Sequence, residues 1–123
     1  MIEEVVEELK LYPWVIAVYL FGSRATGKAK PYSDYDICVI TEPRITKTQR
    51  REILSFSSRK IDISIFWDLP IYIRFRVFSE GKPLFIRDEK KLHRVKARTL
   101  KEYWDFKPLL ERHLKRLLSN VWM

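Results

Sequence analysis

The sequence predicts an α/β fold: a small mixed β-sheet packed with helices, followed by a helical C-terminal extension. Two observations carry this reading. Short β-branched and aromatic runs at about 14–21, 35–41 and 60–66 have the length and composition of strands, and the segments between them have helical spacing. From Asp88 onward the pattern is helical throughout. At 123 residues there is room for one core and not two, so we expect one domain over 1–123, with a core at about 14–87 and the extension at about 88–123.

The elements follow in order. An amphipathic helix at about 2–11 ends near Pro13, and the first strand, 14–21, runs into a turn at Gly22 that opens a short helix. A loop carrying Lys28, Lys30 and Pro31 leads to the second strand, 35–41. Thr46 starts a helix that reaches about Ser57. The third strand, 60–66, places Ile61, Ile63 and Ile65 on one face and Asp62 and Ser64 on the other. Asp68 is an expected N-cap with Pro70 in the first turn of a helix that runs to Glu80 and stops at Gly81. Pro83 to Arg87 makes a short last strand, and Asp88 and Asp105 are expected to cap two final helices, 89–103 and 106–119.

Composition narrows the class. A hydrophobic content of 46% is enough to fill one core and argues against disorder. No apolar run approaches a membrane span, and the acidic, amphipathic beginning is unlike a secretory signal. The lone Cys38, inside an apolar strand, reads as a small buried hydrophobe in a reducing cytoplasm. Charged residues make up 33% of the chain while Gln49 and Asn120 are its only side-chain amides, a balance that thermophiles favour.

The net charge of +8 is concentrated at the end: residues 87–118 hold eleven Lys/Arg against five Asp/Glu. Spread around two helices, these charges are expected to form a solvated face rather than a nucleic-acid surface. The stripe Leu110, Leu114, Leu117 and Val121, with Trp104 and Trp122, packs on the sheet or leaves room for a dimer or a partner protein. His113, among leucines and without a ligand at metal spacing, is assigned a packing or capping role.

The chemistry lies between the first two strands. Gly22-Ser23 would aim backbone N–H groups and a hydroxyl at an anion, with Arg24 as a further phosphate contact or an ion-pair partner of a surface carboxylate. Asp34 and Asp36, two residues apart, project from the same strand face and can hold a divalent cation. Asp62 supplies a third carboxylate if its strand lies beside theirs.

Gly22-Ser23-Arg24-Ala25-Thr26-Gly27, then Ser33-Asp34-Tyr35-Asp36, then Asp62 resemble the DNA-polymerase-β-like nucleotidyltransferase superfamily. The pattern is similar to that of its minimal nucleotidyltransferases, GSRARG followed by SDxD, over roughly residues 14–87, with Thr26 in place of an arginine. The resemblance implies a two-metal site for Mg²⁺, or Mn²⁺, on Asp34, Asp36 and Asp62, with Gly22, Ser23 and Arg24 on the phosphates of a nucleoside triphosphate such as ATP. It implies in-line transfer of a nucleoside monophosphate to an acceptor hydroxyl with release of pyrophosphate. It also implies an acceptor: a hydroxyl of a HEPN toxin, with this chain as the antitoxin. A catalytically weak module that binds a nucleotide or a toxin, and an enzyme that adds to nucleic-acid ends, stay open beside it. The spacing of Arg87-Asp88 and His93 matches a HEPN ribonuclease motif but is set aside, because too few residues remain to build that helical domain.

Overall fold

The first strand, β1 (Val15–Phe21), lies between two antiparallel neighbours, β2 (Tyr35–Thr41) and β4 (Lys82–Ile86), and β3 (Ile61–Ile65) pairs with β2 in parallel. The order is β3-β2-β1-β4, a mixed four-stranded sheet in agreement with the α/β expectation. These elements belong to a computed structural model that describes residues 2–122, the last three by backbone alone.

Strand alternation sends alternate residues to opposite faces, and each face is covered by helices. Ile37 and Val39 join Ile61, Ile63 and Ile65 in a core closed by α1 (Ile2–Leu9) and α3 (Lys47–Leu54). Cys38 and Ile40 point the other way, into a second core closed by Val77 of α4 (Ile71–Glu80) and by Leu92 and Val95 of α5 (Glu89–Trp122). A register shift between Val15 and Ala17 lets Ile16 and Ala17 both face this second core. Pro83 is accommodated because β4 is an edge strand with a second register shift beside it.

Local chemistry explains most boundaries. Thr46 accepts from the Gln49 N–H at 3.0 Å while the Gln49 side chain accepts from the Thr46 N–H at 2.8 Å, a reciprocal capping box that starts α3. Gly81, extended at the end of α4, is held to glycine by lack of space: a Cβ there would lie 2.1 Å from the Val77 carbonyl oxygen. Arg87 donates to the carbonyls of Lys10, Tyr12 and Val15, so the arginine of the HEPN-like spacing fastens the chain leaving α1 to the sheet.

Three expectations are corrected. Asp68 does not cap α4; it ends a single 3₁₀ turn, Phe66–Asp68, and pairs with Arg50, while Pro70 takes the cap position without a side-chain bond. The two C-terminal helices are one: Asp88 caps α5, accepting from the Lys91 N–H at 3.0 Å, but α5 runs on through Asp105 and Pro108. His113 is exposed on this helix, so it has no packing role. Among the described residues no helix is long and apolar enough to cross a membrane. The Val121 and Trp122 side chains, part of the expected stripe, lie outside the described ones.

Candidate active site

The three aspartates gather at one end of the sheet. Parallel pairing sets Asp36 directly opposite Asp62, and both share strand parity with Cys38 and Ser64, on the α4/α5 side. Asp34 stands two residues before Asp36, in the loop just ahead of β2. A Tyr35 N–H to Lys60 carbonyl bond of 2.8 Å closes the mouth of the β2–β3 pair next to it. The adjacency of these strands, conditional in the sequence, is therefore observed.

Gly22 faces the same spot from β1, since Phe21 pairs with Asp36 across the antiparallel strands. Its φ of 73° lies in the left-handed region, and a Cβ there would sit 2.3 Å from Asp36 Oδ2. Glycine is thus required twice, by the turn and by the carboxylate resting on it. The helix that follows, α2 (Ser23–Thr26), is too short for an appreciable dipole, so its anion-binding capacity resides in individual N–H groups. Those of Ser23 and Arg24 find no carbonyl acceptor among the described residues, and the Ser23 hydroxyl is also without a hydrogen bond there.

Arg24 is engaged elsewhere. Its Nε and Nη2 donate to the Ser33 carbonyl at 3.2 and 2.7 Å, and its guanidinium lies 4.4 Å from the Tyr35 ring centroid. This clamp spans the 27–33 loop and fixes the residue that precedes Asp34. Neither a surface carboxylate nor an outward phosphate-facing pose is present. Ser33 also accepts from the Lys30 N–H at 2.9 Å, which shapes the loop. The sequence pattern contained Arg24, Ser33 and Tyr35 but gave no sign that they hold one another, because that contact depends on the loop folding back.

Electrostatics mark Asp36 as the strained member. Partial burial, then the negative charges of Asp62 and Asp34, raise its carboxyl above the ordinary carboxylate range. As they stand, no three described His, Cys, Asp or Glu side chains are close enough together to enclose an ion. The donor set nevertheless fits a hard divalent cation: three carboxylates, with mutual repulsion that a cation would relieve.

A model of the family described as polymerase β, nucleotidyltransferase, matches residues 3–90. The chain belongs to this nucleotidyltransferase family. Members of this type generally use a divalent metal. Over 71 residues, 58% of the chain, it is 37% identical to a Methanocaldococcus jannaschii protein described as a candidate protein adenylyltransferase, and the match spans only 56% of that relative. The likeness to solved structures reaches beyond residue 90, where the family model ends. A chain of a toxin–antitoxin crystal structure containing AMP-PNP superposes with a TM-score of 0.70 at 19% identity, covering 100% of both. A chain from the complex of a tri-AMPylated Shewanella oneidensis HEPN toxin with its MNT antitoxin gives 0.61 at 19% identity, covering 98% of both. At these identities the likeness is one of fold.

Proposed function

We propose that this protein is a Mg²⁺-dependent nucleotidyltransferase that moves AMP from ATP to a hydroxyl of a partner HEPN protein, and so serves as the antitoxin of a two-protein system. The observation that carries the reading is the direct Asp36–Asp62 pairing over Gly22, with Asp34 on the same side. This arrangement offers phosphate donors on one side and cation ligands on the other. The protein adenylyltransferase description of the relative and the AMPylated toxin of the fold neighbour support the choice of nucleotide and acceptor.

In this reading the Ser23 and Arg24 N–H groups and the Ser23 hydroxyl hold the triphosphate, while Arg24 keeps Ser33 and Asp34 in place. Asp34 and Asp36 would hold a metal ion at the triphosphate, and Asp62 a second. Bound divalent cations neutralise charge on the entering and leaving oxygens. Asp62, exposed at this site, takes the proton of the attacking hydroxyl, which displaces pyrophosphate from the α-phosphorus in line. The partner contributes position as well as the nucleophile, since a hydroxyl held in place outcompetes water by a large effective concentration.

The test uses α-³²P-ATP with Mg²⁺. Alone, the protein should release little pyrophosphate; with a HEPN protein encoded beside it, label should move to that protein. Asp62→Ala should reduce labelling on the order of 10²-fold or more, as loss of a proton acceptor and metal ligand would. Label on RNA or DNA ends with none on the protein would sink the acceptor assignment, and equal triphosphate binding in excess chelator would sink the metal assignment.

A further inference from the structure

The unbroken α5 rearranges the basic residues of the C-terminal third. At 100° per residue, Lys90, Arg94, Arg98, Lys101, Arg112 and Arg116 fall within a sector of roughly 80°. Broken at Asp105, the two halves would share no common face. On one helix they make a stripe roughly 39 Å long from Lys90 to Arg116, at 1.5 Å per residue. Asp105 is the one acid inside the sector.

Most of the stripe faces outward, because Leu92, Val95 and Thr99 on another side of the helix are buried against the protein, while Arg98 at its edge reaches back toward Trp67. Five of the six cations make no hydrogen bond or ion pair among the described residues; the exception, Arg98, meets half-buried Glu102 at 3.1 Å and lies 5.9 Å from the Trp67 ring centroid. Trp104, 70% exposed, borders the stripe. Beneath Arg94, a cavity of about 230 Å³ is also lined by Trp67 and Arg98.

We infer that the outer face of α5 is a binding surface for a nucleic-acid strand, held through its phosphodiester backbone by the stripe, with Trp104 stacking on a base. A membrane surface fits poorly: its basic face would need a flanking apolar face to insert, and in the first half of α5 that face is spent on the core. An acidic protein would satisfy the charges and could also bury the indole, so competition by an acidic polymer separates the two. Regularly spaced, uncommitted cations with an aromatic ring beside them match the chemistry of a phosphodiester chain carrying planar bases. The surface lies at the other side of the α4/α5 layer from the aspartates, and the inference does not depend on nucleotidyl transfer.

Fluorescence anisotropy of the full chain with a labelled 20-nucleotide single-stranded RNA, and with the matching duplex, tests this in EDTA so that the aspartate site contributes nothing. With about four phosphates neutralised, the single-strand association constant should fall roughly 50-fold between 50 and 200 mM salt. The triple variant Lys90→Glu/Arg94→Glu/Lys101→Glu should bind roughly tenfold more weakly or worse at 50 mM salt, with a flatter salt slope and an unchanged melting temperature. Should that variant fail to fold, Arg112→Glu/Arg116→Glu tests the other end of the stripe by the same loss. Trp104→Ala should weaken single-strand binding roughly fivefold or more and leave the duplex unaffected. Binding that is absent at 50 mM salt, insensitive to salt, or unchanged in the charge-reversed variants overturns the inference. So does equal competition by polyglutamate of matched charge, which would make the partner an acidic protein.

Discussion

Gly22 and Asp36 constrain each other, and both can be probed one residue at a time. Gly22→Ala forces a side chain into a backbone conformation, φ 73° and ψ −154°, that glycine alone adopts readily, a strain of about 1–3 kcal/mol, and pushes on the Asp36 carboxylate. The expected result is a melting temperature lower by roughly 5–10 °C, together with loss of triphosphate binding. Thermal unfolding and calorimetry check the two parts separately. For Asp36 the sign of the pH effect follows from its raised pKa: the folded chain holds this proton more tightly than the unfolded chain. Its contribution is therefore favourable below the ordinary carboxylate pKa and turns against folding as pH rises through the raised value. Asp36→Asn removes that penalty, so without divalent ions its melting temperature should match wild type near pH 4 and exceed it by a few degrees near pH 7. Mg²⁺ should reverse the order by stabilising wild type alone. A variant less stable than wild type at every pH would place Asp36 in a structural network instead.

At the level of elements, α5 raises the sharpest question because it contains Pro108. The ring removes an N–H to the Trp104 carbonyl, a loss that costs about 3 kcal/mol in a helix interior. Beyond Tyr103, which stacks on Phe75 with centroids 3.8 Å apart, the helix has little of the core to lean on. Pro108→Ala should therefore slow amide exchange roughly tenfold or more across residues 105–119, while the unfolding midpoint of the sheet moves little. Unchanged exchange would mean that something other than the missing bond governs this segment. The same helix shows where the sequence stopped being legible. Ile61, Ile63 and Ile65 revealed the face of Asp62 because alternation is local, but its place beside Asp36 rests on a pairing across 26 residues. Asp105 looked like a cap, yet Tyr103, Phe106 and Leu110 keep helical spacing past it, and that continuity prevailed. Asp68 also had the chemistry of a cap, and lost it to Arg50, a residue 18 positions away that local reasoning does not reach.

For the molecule as a whole, the two faces of α5 differ sharply in how they are satisfied. Its first half is anchored in the second core, whereas Leu109, Leu114, Leu117 and Leu118 are exposed in the second half. A partner protein covering Leu114, Leu117 and Leu118 would leave the basic stripe open, so one helix can serve two contacts at once. The cores themselves enclose Cys38, fully buried at the middle of β2, with a thiol whose ionisation burial strongly suppresses. Iodoacetamide should accordingly leave the native protein untouched and modify it only when β2 loses its covering helices. The rate of alkylation then becomes an internal clock for opening of the sheet: mutations in the distal helix should not alter it, those that destabilise the strands should accelerate it, and mass spectrometry can read both from a single atom of sulfur.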